Sequence, residues 1–186
     1  YEEVRYEGYG PDGVAIIVEA MTNNKNRTAA EIRSSFSKYG GNLGETGSVS
    51  FGFKRLGTIA LKKSLVSEEE LFDFIVENGS EDYELNDEEY LIYCDHKNLH
   101  LLNEKITDKY GQTNFANLIW KSDNSISVEK ESAEKLFKLL NTLEENEDVQ
   151  LVSSNFNVSD EILTSLTVQW KDFRCQIKLG KKEKEM

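Results

Sequence analysis

The sequence is poor in proline, cysteine and histidine, with one, two and two of them in 186 residues. A single proline excludes a proline-rich linker, and the twelve glycines show no collagen-like period. Two cysteines far apart, Cys94 and Cys175, are too few for the disulfide framework of a small secreted domain. Both read as reduced thiols, and the expected location is the cytoplasm. No apolar run approaches the roughly 18 residues that a membrane span requires. No signal or transit peptide is visible. The chain opens at Tyr1 without a methionine, so it reads as a fragment lacking upstream residues. Basic residues are also short: 22 against 34 acidic ones, for a net charge of −12. Such a balance argues against a free-standing nucleic-acid clamp, because phosphates attract positive surfaces.

What is present suffices for folding. Hydrophobic residues make up 38% and aromatics 10%, enough to bury a core rather than stay disordered. The charge is unevenly spread. Residues 1–57 carry 7 basic and 7 acidic side chains, whereas residues 58–128 carry 6 and 15. Residues 129–160 hold 3 and 8, and residues 161–186 hold 6 and 4. The acid therefore lies in the middle of the chain.

Periodicity orders the elements. Gly13 to Ala20 is apolar on both alternating faces, as in a central strand. Thr22 to Asn26 is turn chemistry. Thr28 with Glu31 makes a capping box for a helix that buries Ala29, Ile32 and Phe36 and stops at Gly40. Val49, Phe51 and Phe53 alternate as a strand, and Thr58 to Lys62 forms another. Ser67 with Glu70 caps a helix whose buried stripe is Leu71, Phe72, Ile75 and Val76, ended by Gly79. Asp82–Leu85 and Tyr90–Cys94 form a hairpin. A helix from about Lys97 to Tyr110 and a strand through Phe115 to Trp120 follow. Glu131 to Leu143 is a helix with Ala133, Leu136, Phe137, Leu140 and Leu143 inward, and Val149 to Val152 is a final strand.

These elements predict an α+β fold of two sandwich-like domains. The middle one reads β-α-β-β-α-β, the ferredoxin-like order, and is inserted into the other. The expected limits are 1–55 plus 129–160 for the outer domain and 56–128 for the inserted acidic one. Residues 161–186 form a C-terminal extension.

Few constellations suggest chemistry. Gly40 to Gly47 is glycine-rich, but it lacks phosphate-loop spacing and leaves a helix rather than entering one. Its glycines, Gly40, Gly41, Gly44 and Gly47, are expected to serve the backbone. Cys94, Asp95, His96 and His100 could offer metal ligands, yet Cys94 should point inward and the histidines outward. The carboxylates Glu68, Glu69, Glu70, Asp87, Glu88 and Glu89 sit at a helix start and a turn, where acids are ordinary. No serine elbow appears. The expectation is no enzyme, metal or cofactor, no small-molecule substrate and no membrane contact. A basic surface remains: Lys25, Arg27, Arg33 and Lys38 on or beside the first helix, and Lys54 and Arg55 at the end of the next strand. With Asn24 and Asn42 such a surface could contact phosphates.

The runs Y-E-G-Y-G-P-D-G-V-A-I-I-V-E-A (Tyr6 to Ala20) and N-R-T-A-A-E-I-R-S-S-F-S-K-Y-G-G-N-L-G-E-T-G-S-V-S-F (Asn26 to Phe51) closely resemble the YebC/PmpR family. Mitochondrial translational activators belong to it as well. The likeness is dense through Phe53 and thinner to about Asp160, ending in N-V-S-D (Asn157 to Asp160). It implies a three-domain protein whose basic helical first domain is missing here, leaving the second and third. It implies regulation of gene expression: a probable DNA-binding transcriptional regulator, or alternatively a ribosome-associated translational activator working through RNA or protein contacts. DNA or RNA is the implied partner, with the missing domain, and the ribosome or transcription machinery a further one. The motif residues carried over are Asn26, Arg27, Thr28, Arg33, Lys38, Gly41, Asn42 and Ser48. The segment from Leu166 onward, with Trp170, Phe173 and Cys175, has no counterpart in that pattern.

Overall fold

A computed structural model describes residues 1–80 and 82–166. The elements in chain order are β1 (Glu2–Tyr9), β2 (Ala15–Thr22), α1 (Lys25–Lys38), β3 (Asn42–Leu43), β4 (Phe53–Lys62), α2 (Glu68–Glu77), β5 (Asp82–Leu85), β6 (Glu89–Asp95), α3 (Leu99–Tyr110), β7 (Phe115–Ser122), β8 (Ile126–Ser127), α4 (Lys130–Glu145), β9 (Val149–Ser154), β10 (Phe156–Asn157) and α5 (Asp160–Ser165). The chain forms two compact units. One holds Tyr1–Lys54 and the described chain from Lys121 onward; the other holds Arg55–Trp120. Trp170, Phe173 and Cys175 lie outside the described residues.

The first unit is a four-stranded sheet in the order β3-β1-β2-β9. β2 lies antiparallel to β1 (Tyr6 opposite Val18) and to β9 (Val18 opposite Val152), so its hydrogen bonds are satisfied on both sides. That position explains a strand apolar on both faces: Ile16, Ile17 and Val18 are fully buried. Ile16 and Val18 pack with Ile32 and Phe36 of α1 and with Leu136, Phe137, Leu140 and Leu143 of α4. Each helix lays one stripe on the sheet. β8 and β10 add a short parallel pair.

The second unit is ferredoxin-like, with strand order β5-β6-β4-β7. Ile59 and Leu61 of β4 and Tyr90, Ile92 and Cys94 of β6 pack on Leu71 and Ile75 of α2 and on Leu102 and Ile106 of α3. The fold is thus α+β, with the ferredoxin-like sequence interrupting the outer one.

Several local expectations are corrected. β1 has no counterpart in the sequence-based order. α1 starts at Lys25, three residues before Thr28, because Asn24 is its cap and accepts from the Arg27 N–H at 3.1 Å. Thr28 is therefore a buried helix residue, not a cap. Thr22 ends β2 instead of opening a turn. No strand runs through Val49, Phe51 and Phe53: Ser50–Gly52 is a 3-10 turn, Phe51 faces water, and β4 begins at Phe53. In α2 the buried stripe narrows to Leu71 and Ile75, while Phe72 and Val76 are exposed. The Ser67 cap and the left-handed Gly40 and Gly79 stops are as expected.

Candidate nucleic-acid interface

The basic face is built on α1, and its geometry follows from its anchors. The Thr22 hydroxyl accepts from the Asn24 N–H at 2.9 Å, setting the turn into the helix. One turn in, the Thr28 hydroxyl donates to Asp148 Oδ2 at 2.7 Å and shares a hydrogen bond with Thr22 Oγ1 at 2.8 Å. Arg27 Nη2 reaches the same carboxylate oxygen at 3.0 Å. The Thr28 hydroxyl and then the Arg27 guanidinium hold the Asp148 carboxyl below its usual range. Two neighbours in the N-R-T motif are thus tied to a residue just before β9, and Asp148 was not foreseen as their partner.

A second anchor holds the glycine-rich loop. Glu7 of β1 has no exposed surface. Its carboxylate accepts the backbone N–H groups of Gly47 at 2.6 Å, Val49 at 3.2 Å and Ser50 at 2.6 Å, and Arg5 Nε at 3.1 Å. Burial alone would raise its pKa; the N–H groups of Gly47, Ser50 and Val49 and the Ser50 hydroxyl overcome that and hold it at about 2. Gly47 has φ +95°, the left-handed region that turns its N–H onto the carboxylate. A Cβ on Gly41 would lie 2.5 Å from the Tyr9 carbonyl oxygen, so the loop hugs β1 only with glycine there. The Gly44 N–H donates to the Glu7 carbonyl at 2.8 Å, and Ser48 packs beside Gly44. The glycines therefore build a carboxylate-pinned loop.

The basic residues do not form one patch. At about 100° per residue, Arg27 and Lys38 lie within about 20° of each other on α1, some 16 Å apart along its axis. Asn26 and Arg33 lie about 100–140° around the helix, on the other flank. Arg33 is exposed with no ion-pair partner among the described residues. Lys38 is exposed beside the Tyr39 ring. Lys25 pairs with Glu2, and Lys54 with Asp123 at 3.1 Å, all four side chains more than half exposed. Such pairs yield readily to a better anion. Asn42 is exposed on the edge strand β3. Arg55, next to Lys54 on β4, belongs to the ferredoxin-like unit and stacks over Trp120 at 4.9 Å.

The other constellations resolve plainly. Cys94 is buried, and burial followed by the Asp95 charge pushes its thiol up to about 11, so it is not a thiolate at neutral pH. His100 is almost wholly exposed beside Glu104. Both histidines line an open groove of about 280 Å³ with Lys97, Asn103 and Leu118. Among the described residues no three His, Cys, Asp or Glu side chains are grouped to hold a metal, and no helix is long and apolar enough to cross a membrane.

The family pattern for the TACO1/YebC second and third domain matches residues 1–156. A "probable transcriptional regulatory protein" of Rickettsia bellii strain RML369-C is 52% identical over 163 residues, covering 87% of this chain and 64% of the relative. A protein of the same description from strain OSU 85-389 matches to the same extent. The chain thus spans under two thirds of these curated relatives. The crystal structure of a conserved hypothetical protein, Aq1575, from Aquifex aeolicus superposes with a TM-score of 0.80 at 44% identity, covering 87% of this chain and 67% of that one. The chain belongs to the TACO1/YebC family and carries its second and third domains.

Proposed function

We propose that this chain is part of a cytoplasmic regulator of gene expression that binds nucleic acid and is not an enzyme. The Rickettsia relatives' description as probable transcriptional regulatory proteins supports the regulatory half of that reading. The observation that carries the binding half is α1: its Ile32 and Phe36 turn inward, while Arg27 with Lys38 and Arg33 with Asn26 line its two exposed flanks. Two flanks of donors fit phosphates on both sides of a strand or groove better than a single row does. Lys25, Lys54 and Asn42 extend this surface. Transcription is the favoured setting, because that is what the relatives' description names.

The test uses the full-length protein, since the net charge of −12 opposes binding by this portion alone. Binding to labelled DNA and RNA is titrated between about 50 and 200 mM salt. The double variant Arg33→Glu, Lys38→Glu should weaken binding at least tenfold and reduce the log–log salt slope by about 1–2. Arg27 is left intact, because it also braces Asp148. Binding that ignores salt, or no binding, overturns the reading.

A further inference from the structure

Phe51 keeps 83% of its surface in water, yet the turn that carries it is fixed. The Glu7 carboxylate holds the N–H groups of Gly47, Val49 and Ser50, and the Gly52 N–H closes on the Val49 carbonyl at 3.2 Å. A buried charge thus grips the chain up to the residue before Phe51. A second aromatic touches the same loop. Tyr9 is 42% exposed, and its hydroxyl lies 3.5 Å from the Ser48 carbonyl oxygen. Its register partner on β3 is Asn42, also exposed, and directly opposed residues project from the same face of a sheet.

The surroundings say what such rings could take. Glu45, Thr46, Gly47, Gly52 and Lys54 are all exposed around the loop, and among the described residues of this unit the exposed large hydrophobic side chains are Tyr1, Tyr9 and Phe51. Protein interfaces centre on clustered, desolvated anchors in an apolar patch. Isolated rings on a pinned backbone, an amide with both donor and acceptor, and the Lys54 ammonium, which its exposed pair with Asp123 can release, match the face, edge and phosphate of an unpaired nucleotide. A base inside a duplex offers no free face.

We propose that Phe51 and Tyr9 form a stacking platform for an unpaired base, with Asn42 placed to read its edge. The proposal rests on the nucleic-acid reading above and adds that the bound strand is single-stranded at this point. Stacking is tolerant of base identity, so DNA and RNA single strands share the chemistry.

Full-length wild type, F51A, F51L and F51W are compared on single-stranded and duplex DNA and RNA of one sequence, with thermal unfolding as a fold control. F51A and F51L should lose single-strand affinity on the order of tenfold and leave duplex affinity unchanged. F51W should bind like wild type, and its added emission should be quenched at saturation. Comparing the DNA and RNA arms identifies which strand the platform prefers. F51L binding single strands like wild type, or wild type showing no preference for them over duplex, overturns the platform. Loss of a protein partner in F51L with nucleic-acid affinity unchanged does the same in favour of protein docking. If R33E/K38E weakens all forms while the Phe51 variants bind normally, only the platform falls. If nothing binds, the nucleic-acid reading falls with it.

Discussion

Glu7 and Asp148 both grip the stretch between Asn24 and Ser50, but with different partners. Glu7 is fully buried and takes mainly backbone N–H groups from a loop about forty residues on. Asp148 keeps 15% of its side chain exposed and takes side-chain donors, Thr28 and Arg27, from a helix about 120 residues back. The first therefore dictates the path of the main chain, whatever side chains the loop bears. The second dictates which way particular side chains face. Arg27 is held in a fixed direction while remaining half exposed, as a residue serving both fold and ligand would need.

Breaking the comparison at Glu7 should cost most. Glu7→Ala strands three N–H groups and should destabilise the outer unit by about 3 kcal/mol in chemical denaturation. Glu7→Gln keeps the shape but loses the charge, and about half of that loss is expected. Next comes acid. Glu7 has a pKa of about 2 in the fold against an ordinary 4.5, so the unfolded chain takes up the proton first. Its stabilisation is complete above the ordinary carboxylate pKa and drains away as pH falls toward 2. Denaturation midpoints measured from pH 6 to pH 2.5 should therefore fall less steeply in Glu7→Gln than in wild type. Thr28→Val is expected to cost about 1 kcal/mol, since Asp148 keeps Arg27 and reaches water. The smallest effect belongs to Glu2→Gln. Its pair with Lys25 is exposed on both sides, and no measurable change in midpoint is expected. A Thr28→Val loss larger than that of Glu7→Ala would reverse the ranking of the two anchors.

Local signals were readable in the sequence. The Ser67 cap, the Gly40 and Gly79 stops, the five inward residues of α4 and the ferredoxin-like order all rest on neighbours within a turn or two. The anchors were not, because their partners are remote. Glu7 stands in E-V-R-Y-E-G-Y, a stretch to which the sequence reading assigns no element, and nothing local marks it for burial. Only β3 and the following loop, closing over β1, bury it. Thr28 with Glu31 has capping-box spacing, but Asn24 lies nearer the end of β2 and takes the cap first. Phe51 misled by simple alternation with Val49 and Phe53; the grip of Glu7 on Val49 and Ser50 replaces strand geometry there with a turn. The cationic cluster on α1 was legible as composition. Its split into two flanks needed the true helix start and the Asp148 contact.

The pairing of β2 with β9 has a consequence during synthesis. Every strand of the ferredoxin-like sheet leaves the ribosome before β9 does. β2 can pair with β1 at once, but its other edge has no partner until Val149–Ser154 has been made. At cellular translation speeds that wait is on the order of ten seconds. Throughout it, a strand containing Ile16, Ile17 and Val18 presents an unpaired apolar edge, the kind of template that invites mispairing. Inserting one domain inside another thus gives the nascent chain an interval in which a chaperone has something to cover.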